Sequence, residues 1–134
     1  IVVDYIQATK KGSWGESSSI GGFVGNGYIH DGNEGHGSKS VSFQAKLPAD
    51  GTYEVRFYYT SNGNRATNVP VTIDHAGGSK SVSVDQRKAN KAGFVSLGRF
   101  EFKKDSAATV VITNTKTNGH VVADAVQFIP VTKN

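Results

Sequence analysis

The segment Tyr53–His75, YEVRFYYTSNGNRATNVPVTIDH, decides the fold. Tyr53, Val55, Phe57 and Tyr59 alternate with Glu54, Arg56 and Tyr58, the period of a half-buried strand over Tyr53–Thr60. Val69, Val71 and Ile73 alternate with Pro70, Thr72 and Asp74, so a second strand runs over Val69–His75. The polar loop between them carries Asn64, Arg65 and Asn68. Arginine offers a planar fork of N–H donors, and asparagine offers both a donor and an acceptor. Such groups suit sugar hydroxyls and carboxylates. They equally suit an ordinary hairpin loop in which the arginine ties the turn to a neighbour.

The same grammar extends in both directions. Upstream, Val41, Phe43, Ala45 and Leu47 alternate with polar residues over Lys39–Leu47, and Pro48–Gly51 makes a turn. Ile1–Gln7 reads as a first strand, and Phe23–Asp31 contains the turn signal Asn26-Gly27. Between them Trp14 and Glu16 lie in a glycine- and serine-rich stretch without a period. Downstream, Gly77-Gly78 turns into Ser79–Asp85. Phe94–Phe102 changes phase around Gly98, which predicts a bulge. Thr109–Asn114 and His120–Pro130 complete the set. About eight or nine strands separated by turns, with no helical period, predict an all-β antiparallel sandwich in a single module over residues 1–134.

Composition narrows the function. The chain has 134 residues, 16 of them glycine, and no cysteine, which excludes disulfides and thiolate metal sites. No apolar run approaches the ~20 residues of a membrane span, and no signal-peptide pattern opens the chain, which reads as a module of something longer. A formal charge of +4 favours polyanionic partners. The cations are dispersed as Lys10–Lys11, Arg87–Lys88–Lys91 and Lys103–Lys104, whereas nucleic-acid modules carry a denser stripe. Nucleic acid and membrane insertion are therefore not expected.

Four segments in one order resemble the golvesin carboxy-terminal-like domain, also described as the carbohydrate-binding-like domain of xanthan lyases. They are LPADGTYEVRF at Leu47–Phe57, RATNVPVTIDHAGG at Arg65–Gly78, FVSLGRFEF at Phe94–Phe102 and NGHVVADAVQFIP at Asn118–Pro130. Residues 1–46 match more loosely, and the family pattern often has Trp where Phe94 stands. The resemblance implies a jelly-roll sandwich of the galactose-binding-like kind. It also implies a non-catalytic, secreted or surface module attached to an enzyme that acts on polysaccharide.

Candidate contacts for an acidic glycan are Arg65, Asn64 and Asn68, with Trp14 or Tyr28 as a stacking ring, and with His30, Asn118 and His120 nearby in loops. Trp14 alternatively caps the core. Tyr28, Tyr58 and Phe94 are the other aromatics expected toward solvent or a cleft. Asp4 shares a phase with Val2 and Ile6, and Asp124 with Val122, Val126 and Phe128, so both carboxylates are expected on an apolar side. A shared structural Ca²⁺ would satisfy them; so would backbone N–H groups or an arginine such as Arg65. No cofactor is otherwise required. DGNEGHG at Asp31–Gly37 lacks the acids of an EF-hand, and Gly21, Gly22, Gly25 and Gly27 do not make a dinucleotide fingerprint. His30, His36, His75 and His120 lie near turns without a visible zinc pattern, and no nucleophile elbow or HExxH occurs.

Overall fold

A computed structural model describes residues 2–17, 27–32, 39–61, 63–88, 93–104 and 107–131. His36, Asn62, Lys91, Gly21, Gly22, Gly25 and the early part of the Phe23–Asp31 stretch, Asn26 included, lie outside the described residues.

The strands are β1 (Val2–Asp4), β2 (Thr9–Lys11), β3 (Gly15–Ser17), β4 (Tyr28–His30), β5 (Ser40–Lys46) and β6 (Gly51–Tyr58). They continue with β7 (Val69–His75), β8 (Gly78–Val84), β9 (Phe94–Phe102), β10 (Ala107–Thr113), β11 (Val122–Ala123) and β12 (Ala125–Pro130). One sheet has the order β1-β12-β6-β9 and the other β2-β5-β10-β7-β8; a small third sheet, β11-β4-β3, closes one end. All pairings within the sheets are antiparallel. Among the described residues the only helical element is the 3₁₀ turn Tyr5–Gln7.

The alternation read from the sequence is the burial pattern. Tyr53, Val55 and Phe57 of β6 point inward, against Val69, Val71 and Ile73 of β7 and Val41 and Phe43 of β5. Each fully buried side chain of this size contributes roughly 1.5–3 kcal/mol. The expected bulge is present: Val55 pairs with Gly98 and Arg56 with Ser96, so Leu97 is the extra residue. Gly98 has φ +119°, a conformation that disfavours a side chain.

Two phases differ from the sequence reading. In β1 the buried residue is Val3, while Val2 is 46% exposed and Asp4 shares its outer face. Three residues are too few for a period, and the 3₁₀ turn at Tyr5–Gln7 breaks the phase that linked Asp4 to Ile6. The last segment is two strands. Asp124 stands where the chain leaves the small sheet for the four-stranded one, and Val122, Ala123, Ala125 and Val126 are all buried around it. Its amide donates to Tyr58 O and its carbonyl accepts from Tyr5 N, so its backbone stays paired through the switch.

Candidate functional site

Arg65 is the hub of the loop end, and it points inward. The residue is 4% exposed. Its Nε donates to Thr60 O at 2.9 Å, Nη1 to Asn64 Oδ1 at 2.6 Å and Nη2 to Thr60 Oγ1 at 3.0 Å. Nη2 also approaches the Tyr28 hydroxyl at 3.5 Å, and the guanidinium carbon lies 5.6 Å from the Tyr28 ring centroid. The arginine thus folds back on the start of its own loop, and Tyr28, expected toward solvent or a cleft, is buried beneath it. The fork that the sequence offers to a ligand is occupied by Thr60, Asn64 and Tyr28.

The neighbouring loop is laced to this hub. Arg65 bridges His120 in parallel, Ala66 N donates to His120 O, and His120 N donates to Asn64 O. Asn68 Oδ1 accepts from Asn118 N and its Nδ2 donates to Lys116 O. Asn118 Oδ1 accepts from Thr67 N, and its Nδ2 donates to Thr67 Oγ1. Both asparagines therefore staple two loops. Gly119 makes the close approach possible, because a Cβ there would lie 2.8 Å from the Arg65 carbonyl carbon and oxygen.

Beneath the loops lies a buried polar layer that sequence reasoning missed. Asp31 Oδ1 accepts from Val121 N at 2.9 Å and Oδ2 from Asn114 Nδ2 at 3.1 Å. Lys39 Nζ donates to Asp31 O at 2.6 Å, and Lys39 N donates to Asn114 Oδ1. Asp31, Lys39 and Asn114 are all buried. Gln86, fully buried, pairs its amide with Val122: Nε2 donates to Val122 O and Oε1 accepts from Val122 N. The side chain completes a rung where no strand reaches. Asp31 was visible only as the first acid of a rejected calcium loop, and Gln86 gave no signal.

His30 and His120 are partly open at this end, beside the exposed residues Asn64, Asn68 and Asn118. Their ring centroids are 6.3 Å apart. His30 Nδ1 accepts from Gly32 N at 3.1 Å, which leaves the proton on Nε2 and makes that atom a donor. The ring lies over Gly15, where a Cβ would sit 2.8 Å from it. His120 Nδ1 is 3.3 Å from Asn64 O. Burial holds the His30 pKa below its usual value; His120, Arg65 and Lys39 push the same way, and Asp31 opposes them. The unfolded chain therefore takes up a proton near pH ~6.5 before the folded one does. His30 adds stability above that pH and loses it as pH falls through its lowered folded value. Melting temperatures from pH 7 to 5 should decline, and His30→Gln should flatten the decline. Parallel curves for the two proteins would remove His30 as the cause.

Trp14 is half-buried against the core and its Nε1 donates to Lys11 O, the core-capping alternative. Tyr58 and Phe94 lie together on the outer face, ring centroids 5.3 Å apart. The first and last strands do pair, with Asp4 opposite Ala125, next to Asp124. After burial, which dominates, Glu16, Asp4 and Asp124 each raise the Tyr5 pKa, so the three carboxylates share one neighbourhood. Among the described residues no three His, Asp or Glu side chains group as metal ligands. Calcium takes about six to eight oxygens, so an outer Asp4 and a buried Asp124 form an incomplete donor set.

Two antiparallel sheets over one core, with a short third sheet and laced loops, define an antiparallel jelly-roll β-sandwich. The chain belongs to the Golvesin C-terminal domain family, which it matches over residues 1–130. It is 38% identical over 131 residues to a xanthan lyase of Bacillus sp. (strain GL1), covering 96% of this chain and 14% of that protein. The structure of Paenibacillus xanthan lyase superposes with a TM-score of 0.92 at 40% identity, over 98% of this chain and 13% of that one. A Podospora anserina GH26-CBM35 β-(1,4)-mannanase shares the fold, with a TM-score of 0.72 at 16% identity over 100% of this chain and 28% of that one. The chain thus spans a small part of the xanthan lyase length. No helix among the described residues is long and apolar enough to cross a membrane.

Proposed function

We propose that this chain is a non-catalytic carbohydrate-binding module, carried by a secreted or surface enzyme that degrades polysaccharide, and that it holds an acidic glycan. The observation that carries the reading is the relationship to xanthan lyases of which such a chain is only a minor part. The formal charge of +4 supports an acidic ligand. Tethering the enzyme to its polymer raises the local substrate concentration for the neighbouring catalytic domain. In this proposal His30, His120 and Asn64 meet the sugar at the loop end. Arg65, Tyr28, Asn68 and Asn118 fix the loops that present them, and Trp14 supports β3 beside His30.

A second reading, an accessory domain that packs on its parent and binds no glycan, is favoured by one observation: Arg65 uses its side chain on its own loop, and Asn68 and Asn118 use theirs between loops. Affinity electrophoresis in gels containing xanthan, polygalacturonate or a neutral glucan separates the two. The binding module is retarded by the acidic gels, less so as salt rises, because open charge attraction is screened beyond about 8 Å at physiological salt. His120→Ala should lose most of the retardation while melting near wild type; Asn64→Ala should lose it too, but at a lower melting temperature, because Arg65 Nη1 then lacks its acceptor. Equal mobility of the wild type in every gel would establish the accessory reading.

A calcium ion held by Asp4 and Asp124, its shell completed by water, is proposed as a stabilising ion only. EDTA should then lower the melting temperature of the wild type and leave Asp4→Asn unaffected. Superimposable curves with and without EDTA would remove the ion from the account.

A further inference from the structure

A cleft of about 480 Å³ opens on the flank of the sandwich, lined by other residues than the loop-end groups above, although its Asp85–Lys88 turn is bonded to Arg65 O and Ala66 O through Arg87 and Gln86. It lies between β8 and β9, the strands that end the two large sheets. Val84 and Leu97 give it apolar walls, Phe94 stands at one side, and Asp85 and Lys88 supply charge. Tyr59 forms part of the lining although it is 1% exposed. The size is that of a small-molecule site, which is usually apolar with a few placed polar groups.

The polar groups are held in place. Tyr59 donates its hydroxyl to Lys88 O at 2.5 Å and approaches Asp85 O at 3.4 Å. Burial, then the nearby Asp85, pushes its pKa up to about 12, so it stays a donor at any working pH. Asp85 Oδ1 accepts from Arg87 N and Asp85 O from Lys88 N, which closes the turn. The turn thus presents the Lys88 ammonium, which makes no ion pair among the described residues. Phe94 is braced by the Arg56 guanidinium, 4.4 Å from its ring centroid, and by Tyr58.

We infer that this cleft is a second sugar site, which takes one uronic acid unit of a glycan. The C–H face of a pyranose suits Phe94 and the valine and leucine walls. The Asp85 carboxylate accepts sugar hydroxyls, and Lys88 pairs with the uronate carboxylate. Neutral hexoses share every contact but the last. The inference rests on the glycan-binding reading, yet it concerns different residues and fails separately.

The test titrates the protein with D-glucuronate and, in parallel, D-glucose, following backbone amides by NMR. Glucuronate should shift amides within 82–88 and 94–97. Lys88→Ala should weaken glucuronate about tenfold and leave glucose unchanged, as loss of a charge-assisted bond requires. Ser96→Trp, at an exposed cleft position, should block both sugars. Melting curves check that both variants fold, and Lys88→Ala alone decides the case if Ser96→Trp does not. If the wild type is retarded by acidic gels but glucuronate moves no cleft amide, or both variants bind it as before, the cleft is not a sugar site and the module function stands. If glucuronate fills the cleft while every gel leaves the protein unretarded, the cleft stands and the polysaccharide reading falls.

Discussion

Arg65→Ala should cost about 3 kcal/mol of stability, a fall in melting temperature of roughly 10 °C for a chain of this size. The substitution strands Thr60 O and Thr60 Oγ1 on a buried residue, and leaves the exposed Asn64 Oδ1 to water; Arg65 now satisfies all three from a position 4% exposed. Buried acceptors left without donors cost about 1–3 kcal/mol each, reduced where water can enter. Arg65→Lys keeps the charge but cannot reach three acceptors from one atom, so it should lose about half as much. The loop also carries its neighbours with it, since Arg87 Nε donates to Arg65 O and Gln86 N to Ala66 O. Thermal unfolding of the three proteins checks this. A melting temperature for Arg65→Ala within ~2 °C of wild type would mean that the guanidinium is not the staple described.

Asp31→Ala should be comparably severe, again about 3 kcal/mol. Its carboxylate is the acceptor for the Val121 amide and the Asn114 side chain, both buried. Hydrogen bonds to charged groups are worth more than neutral ones, and both donors would lose their acceptor. Lys39 would keep its bond to Asp31 O but lose the nearby negative charge. Asp31→Asn recovers little, because an amide can accept at only one of the two oxygen positions and sets N–H against N–H at the other. Hydrogen exchange at Val121 is the local readout. In either variant it should accelerate well beyond the change in global stability, and exchange that tracks global unfolding alone would contradict this role.

The strands that the sequence revealed are those long enough to show a period. Val69–His75 and Phe94–Phe102 have the predicted bounds, and the bulge beside Gly98 follows from its phase change. The strands β2, β3 and β4 have three residues each, too few for alternation, so the Trp14 region reads as irregular and Phe23–Asp31 shows only a turn signal. Asp124 hid a switch between sheets, because buried neighbours on both sides erase the period that would mark it. The loop residues Asn64, Arg65, Asn68, Asn118 and His120 do gather at one end, as their chemistry suggests. Their direction was not readable: an arginine that serves a ligand and one that serves its own loop have the same sequence. Tyr28 and Thr60, distant or unremarkable in sequence, are what turn Arg65 inward.

Amide chemical-shift mapping with an acidic oligosaccharide such as trigalacturonate tests the central claim most directly. Glycan recognition at the loop end predicts saturable shifts at His30, Asn64 and His120, weakened by added salt and absent with a neutral oligosaccharide of equal length. An unchanged spectrum with both sugars at millimolar concentration would contradict it, and would leave a folded accessory domain whose polar loops serve only each other.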